Sequence, residues 1–98
     1  MYGLTVFAKV VAKKESVEEV QHALLKMIEP TRKEEGCIDY YLHQDNDDPA
    51  VFMLYENWTN EEELDNHMKT AHFKALVAAI GGITEGITIN KLTRLEND

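Results

Sequence analysis

The chain has 98 residues, 44% hydrophobic and 29% charged, with a formal net charge of −8. That predicts one globular domain with a single core, and the acidic excess argues against nucleic acid and anionic membranes as partners. A lone cysteine, Cys37, excludes an internal disulfide; with no signal peptide and no apolar run near about 18 residues, the expected location is cytoplasmic.

Leu4 to Ala12 reads as the first strand. Leu4, Val6, Ala8 and Val10 take one face; Thr5, Phe7, Lys9 and Val11 take the other. Both faces are largely apolar, so both are expected to be covered. Helices in a chain this short can cover only one, and a second copy of the chain is the simplest source of the other cover. Ser16-Val17-Glu18-Glu19 fits a capping box at the start of the first helix. Val17, Val20, Ala23, Leu24, Met27, Ile28 and Thr31 then fall within one arc of about 140°, with His22, Lys26, Glu29 and Lys33 opposite. Pro30 should kink this helix without ending it before about Glu35, and Gly36 is placed to take the left-handed conformation after its last turn.

Cys37 to Gln44 is the second strand, with Ile38, Tyr40 and Leu42 on one side. Asp45-Asn46-Asp47-Asp48-Pro49 is a turn, and Val51 to Trp58 is the third strand, with Phe52, Leu54, Glu56 and Trp58 on one face. Thr59 or Asn60 caps a short helix, with Glu61, Glu62 and Glu63 in its first turn. Thr70 starts a last helix whose buried stripe is Phe73, Leu76, Val77 and Ile80. Gly81-Gly82 ends it. Ile83 to Leu95 holds the fourth strand, with Ile87, Ile89 and Leu92 as its core contacts, and the tail Glu96-Asn97-Asp98 is expected to fray. Strand, helix, strand, strand, helix, strand is the α+β, ferredoxin-like split βαβ order, predicting an antiparallel sheet with helices on one face.

Residues suited to chemistry gather between Val51 and Lys74: the only Trp, two of the four His, and Glu56 inside an apolar strand. His67 and His72 are five apart across a helix break, whereas a helical metal pair uses i, i+4. No carboxylate stands at supporting spacing, so the sequence points away from a metal site. Cys37 follows a helix C-terminus, which disfavours a thiolate. A buried Glu56 needs a partner, and Arg32 or Lys9 could supply an ion pair. With Tyr40, Tyr41, Phe52 and Trp58, these residues describe an aromatic-lined cavity with a few polar groups, the usual composition of a small-molecule site.

The segment Pro30 to Cys37, then Tyr40, then Phe52 to Trp58, then His67-Met68-Lys69-Thr70-Ala71-His72-Phe73, resembles the antibiotic biosynthesis monooxygenase family, and its quinol monooxygenase-like members most closely. The resemblance implies a ferredoxin-like fold and a homodimer packed sheet to sheet as a dimeric α+β barrel. It also implies a pocket between sheet and helices, and oxidation of phenols or hydroquinones by O₂ without flavin, haem or metal. In such a site His67 or His72 would accept a proton and Glu56 would orient the substrate. Arg32, Tyr40, Tyr41, Phe52, Trp58 and Phe73 would contact it. Trp58 matches a pocket tryptophan of polyketide-oxidising relatives, but the asparagine they carry four residues earlier is Leu54 here. The haem-degrading branch places a histidine where this chain has Leu76 and Val77, and its first-strand asparagine is missing. A branch acting on phosphorylated sugars would want a basic pocket. A non-oxidative binding or isomerase domain, or a plain dimeric scaffold, are the alternatives on the same fold.

Overall fold

The computed structural model describes residues 3–96; the part of the tail at Asn97 and Asp98 lies outside them. The elements follow as β1 (Leu4–Ala12), α1 (Val17–Arg32), β2 (Cys37–Gln44), β3 (Val51–Trp58), α2 (Glu61–Met68), α3 (Ala71–Ile80) and β4 (Thr84–Leu92). The strands form one antiparallel sheet in the order β2-β3-β1-β4. This is the expected ferredoxin-like arrangement. Among the described residues no helix is long and apolar enough to cross a membrane.

The core lies between the helices and the sheet face carrying Val6, Ala8, Val10, Tyr40, Phe52, Leu54 and Trp58. From α1, Val20, Leu24, Met27 and Thr31 close onto it; this is the centre of the stripe set by the helical period. Val17, Ala23 and Ile28 pack at its edge. The other sheet face is open in the single chain: Phe7 is 41% and Tyr41 48% exposed.

Both ends of α1 depart from expectation. A 3₁₀ turn, Lys14–Ser16, precedes it, and Ser16 makes no side-chain capping bond. That turn holds Ser16 at φ −123°, ψ 17°, away from the extended geometry in which a cap side chain reaches forward. The helix stops at Arg32 instead of Glu35. Beyond Pro30 the chain tightens into i→i−3 bonds, from Lys33 N–H to Pro30 O and from Glu34 N–H to Thr31 O. Gly36 does not take a left-handed conformation, since no described glycine has positive φ. It is needed for space: a Cβ there would lie 2.3 Å from the Cβ of Glu63.

The later caps form as read. Asn60 accepts from Glu63 N–H at the start of α2, and Thr70 from Phe73 N–H at the start of α3. The expected stripe of α3 is buried only at Ile80; Phe73 and Leu76 are half-buried and Val77 is exposed. Nor does β4 supply core contacts, since Ile87, Ile89 and Leu92 stay 38–46% exposed. β4 is an edge strand that pairs only with β1. Its register puts Ile87 and Ile89 opposite Val10 and Ala8 on the helix side. Leu92, opposite Thr5, is on the other face.

Candidate active site

A cavity of about 90 Å³ lies between the helices and the inner sheet face. Tyr40 from β2, Leu54 and Glu56 from β3, and Leu64 and His67 from α2 form its inner wall. Phe73, Leu76 and Val77 of α3 with Ile87 and Ile89 of β4 form the outer wall. The incomplete burial of α3 and β4 therefore has a local cause: they flank an opening instead of a packed core.

Glu56 is buried, and its Oε1 accepts from Trp58 Nε1 at 2.8 Å. Neither expected ion-pair partner reaches it. Arg32 instead donates through Nε and Nη2 to the Tyr40 carbonyl and lies over the Tyr41 ring. Lys9, opposite Met53, is on the exposed outer side of the sheet. Burial raises the Glu56 carboxyl from the ordinary 4.5 to about 7; the Trp58 hydrogen bond opposes this and the nearby Glu34 charge adds to it. Burial likewise raises the Tyr40 hydroxyl, and it pushes the Cys37 thiol up to about 11, so Cys37 is no nucleophile at neutral pH.

His67 is buried between aromatic rings, 4.7 Å from Trp58 and 5.1 Å from Phe73, centroid to centroid. Its Nδ1 lies 2.7 Å from Glu34 Oε2, and the same oxygen lies 2.6 Å from His72 Nε2. Burial lowers the His67 pKa despite the opposing effect of Glu34, so at neutral pH their contact is a hydrogen bond donated by neutral imidazole to the carboxylate rather than an ion pair. With Nδ1–H donated to Glu34, Nε2 is the ring nitrogen left for a ligand.

The structure divides the residues singled out from sequence. His67, Glu56, Tyr40 and Phe73 line the cavity together. Trp58 and Phe52 are buried and do not line it: Trp58 backs His67 and holds Glu56, and Phe52 is packed in the core. Tyr41 and Arg32 lie outside the cavity, Tyr41 on the outer sheet face. His72 lines a separate groove between α1 and α3 with His22 and Lys26. Glu34 was not singled out at all. It stands in the turn after α1 and meets both histidines only through the tertiary fold.

The sequence profile of the antibiotic biosynthesis monooxygenase family matches residues 3–79. The chain belongs to that family. YcnE of Bacillus subtilis (strain 168), named as a candidate monooxygenase, is 32% identical over 80% of this chain and 80% of its own length. The protein sll1783 of Synechocystis sp. is 32% identical over 76% of this chain, which spans 50% of that longer relative. Among solved structures, PA3566 from Pseudomonas aeruginosa superposes with a TM-score of 0.94 at 30% identity, covering 98% of this chain and 97% of that one. A structure described as an antibiotic biosynthesis monooxygenase gives 0.90 at 31% identity, covering 95% and 99%. Family membership and these names support a monooxygenase-type function, and the family fold is the one described above.

Proposed function

We propose that the protein is a cofactor-independent monooxygenase that oxidises a small, electron-rich aromatic of the hydroquinone type with O₂, working as a homodimer. The observation that carries this reading is the cavity: an apolar space whose lining holds one imidazole, one carboxyl and the Tyr40 and Phe73 rings. Its volume, about 90 Å³, is below the roughly 150 Å³ of a cavity that takes up benzene. A single ring therefore fits only with one edge in the mouth, where Val77, Ile87 and Ile89 are the exposed lining residues.

Neutral His67, held through Nδ1 by Glu34, takes a phenolic proton on Nε2. Of the two histidines it is the acceptor, because His72 does not line the cavity. The hydroquinone anion gives one electron to O₂, the radical pair combines at a ring carbon, and the proton held on His67 passes to the resulting peroxide to give a hydroperoxide. Loss of water from that hydroperoxide leaves a hydroxyquinone. One oxygen atom ends in the product and the other in water, with the substrate as reductant. The apolar walls hold the reactants together and exclude water. Glu56, protonated up to about pH 7, donates a hydrogen bond that orients a substrate oxygen.

A second copy of the chain is the cover for the open sheet face. Phe7 and Tyr55 stack edge to face across that surface at 5.6 Å. Beside them runs a groove formed by Tyr41, His43 and Met53. Asn57, with Thr5, Asp39 and Tyr55, forms a hydrogen-bonded cluster on the same side that gives the apolar face a polar rim.

The deciding experiment mixes the protein with a single-ring hydroquinone without oxygen and then admits air. Oxygen uptake well above the protein-free rate, lost in His67→Ala, is expected. Uptake no faster than in buffer refutes the activity.

A further inference from the structure

Glu34, His67 and His72 come from the turn after α1, from α2 and from the start of α3, and one donor atom from each lies within 4.8 Å of the other two. A single carboxylate oxygen is shared by two imidazole nitrogens at 2.7 and 2.6 Å. The Glu34 and His67 side chains are only 14% and 4% exposed. Among the described residues no Lys or Arg pairs with Glu34. Two imidazoles and one carboxylate thus form a donor set with one uncompensated negative charge. Imidazole suits Zn, Cu, Fe and Ni, and two histidines with one carboxylate form a recurring three-ligand set that leaves coordination positions open.

We infer that this triad is a binding site for a divalent first-row transition-metal ion, ligated by Glu34 Oε2, His67 Nδ1 and His72 Nε2. An ion about 2.0–2.2 Å from each donor sets the donors about 3–3.5 Å apart. Glu34 Oε2 must therefore draw back by roughly half an ångström from each ring, and the two ring nitrogens, within 4.8 Å of each other, must close to the same spacing. The Glu34 carboxylate stands on a turn at the end of a flexible side chain and His72 is partly exposed, so both can move. The site has a path of access: His72, 26% exposed, opens onto the groove between α1 and α3, while His67 faces the cavity.

The ion and the hydrogen-bonded state exclude each other. Without metal, both rings donate N–H to Glu34. Metal displaces those protons, and a neutral His67 bound through Nδ1 must carry its proton on Nε2. The nitrogen available to a ligand changes from acceptor to donor. On the proposed reading of His67 as proton acceptor, metal loading therefore switches the oxidation off.

The test titrates tag-free protein with Co²⁺, read by visible absorption, and with Zn²⁺, read by calorimetry. One ion per chain is expected, with the Co²⁺ band of a low-coordinate site displaced by Zn²⁺. Glu34→Gln and His72→Ala should each weaken binding by at least about tenfold. The double variant His22→Ala/His43→Ala, which removes the remaining histidines, should bind as the wild type does. Melting curves in chelator confirm that each variant is folded. As a readout independent of variants, the wild-type His67 ring-nitrogen resonances should report a change of tautomer on Zn²⁺ addition. A Co²⁺ spectrum that remains that of the free hexa-aqua ion overturns the inference, as does binding that survives Glu34→Gln. The binding result stands whether or not the protein takes up oxygen; inhibition of uptake by Zn²⁺ is read only if it does.

Discussion

Replacing Glu56 by Gln should remove a pH dependence of stability that the wild-type protein carries. Glu56 sits under the helices with its carboxyl on Trp58 Nε1. The titratable groups around it are Tyr40 and Cys37 on β2, His67 on α2 and Glu34, and among the described residues no Lys or Arg pairs with it. Its folded-state pKa of about 7 lies above the ordinary 4.5, so the folded state binds this proton more tightly than the unfolded chain does. The resulting stability is fully present below about pH 4.5, falls as the pH rises, and is gone above about pH 7. At about 1.4 kcal/mol for each tenfold change in proton affinity, the loss across that window is roughly 3 kcal/mol. Urea unfolding of both proteins, at fixed protein concentration and a series of pH values from about 4.5 to 7.5, measures it. Trp58, the only tryptophan, and far-UV circular dichroism are the two probes. The wild type should lose stability relative to Glu56→Gln by roughly 3 kcal/mol on going up that range. Parallel stabilities throughout would show that the carboxyl ionises normally and that burial does not hold it neutral.

Gly36→Ala forces a Cβ against Glu63, 2.3 Å away, and should destabilise by about 1–3 kcal/mol in urea titration; a neutral effect would mean that α2 shifts freely. Asn60→Ala removes the bond to Glu63 N–H and should cost about 1 kcal/mol, read as a lowered melting temperature. Phe7→Asp puts a charge on the open sheet face and should convert the proposed dimer to monomer in light scattering, with helix content retained; a dimer of unchanged mass would place the interface elsewhere.

The parts of the fold set by short-range periodicity were legible in the sequence. Alternation along β3 places Phe52, Leu54, Glu56 and Trp58 on the buried face, and the arc from Val20 to Thr31 gives the buried side of α1. Where two local rules compete, one sequence does not say which prevails. At Gly36, freedom of φ was the nearer expectation, but clearance against Glu63, a residue far along the chain, decides the position. In β4 the apolar residues Ile87 and Ile89 were read as core because periodicity does not distinguish an edge strand beside an opening from a covered one.

The site divides along the same line. Glu56 was conspicuous because a carboxylate breaks an apolar strand, and His67 because two of the four histidines fall between Val51 and Lys74. Tyr41 and Phe52 were grouped with them as aromatics close in sequence, although β2 turns Tyr41 to the outer face and the core takes Phe52. Glu34 carries no local signal: it is one of two consecutive glutamates at the end of a polar run. Its partners are 33 and 38 residues away. What selects it is closure of the fold. The tightened turn after Pro30 aims its carboxylate beneath α2, and Thr70, which bonds to His67 O and caps α3, fixes the angle that brings His72 to the same oxygen. The geometry of the triad therefore depends on two turns, so exposed positions such as Lys33 and Lys69, which do not line the cavity, stand where small backbone changes would alter the placement of His67.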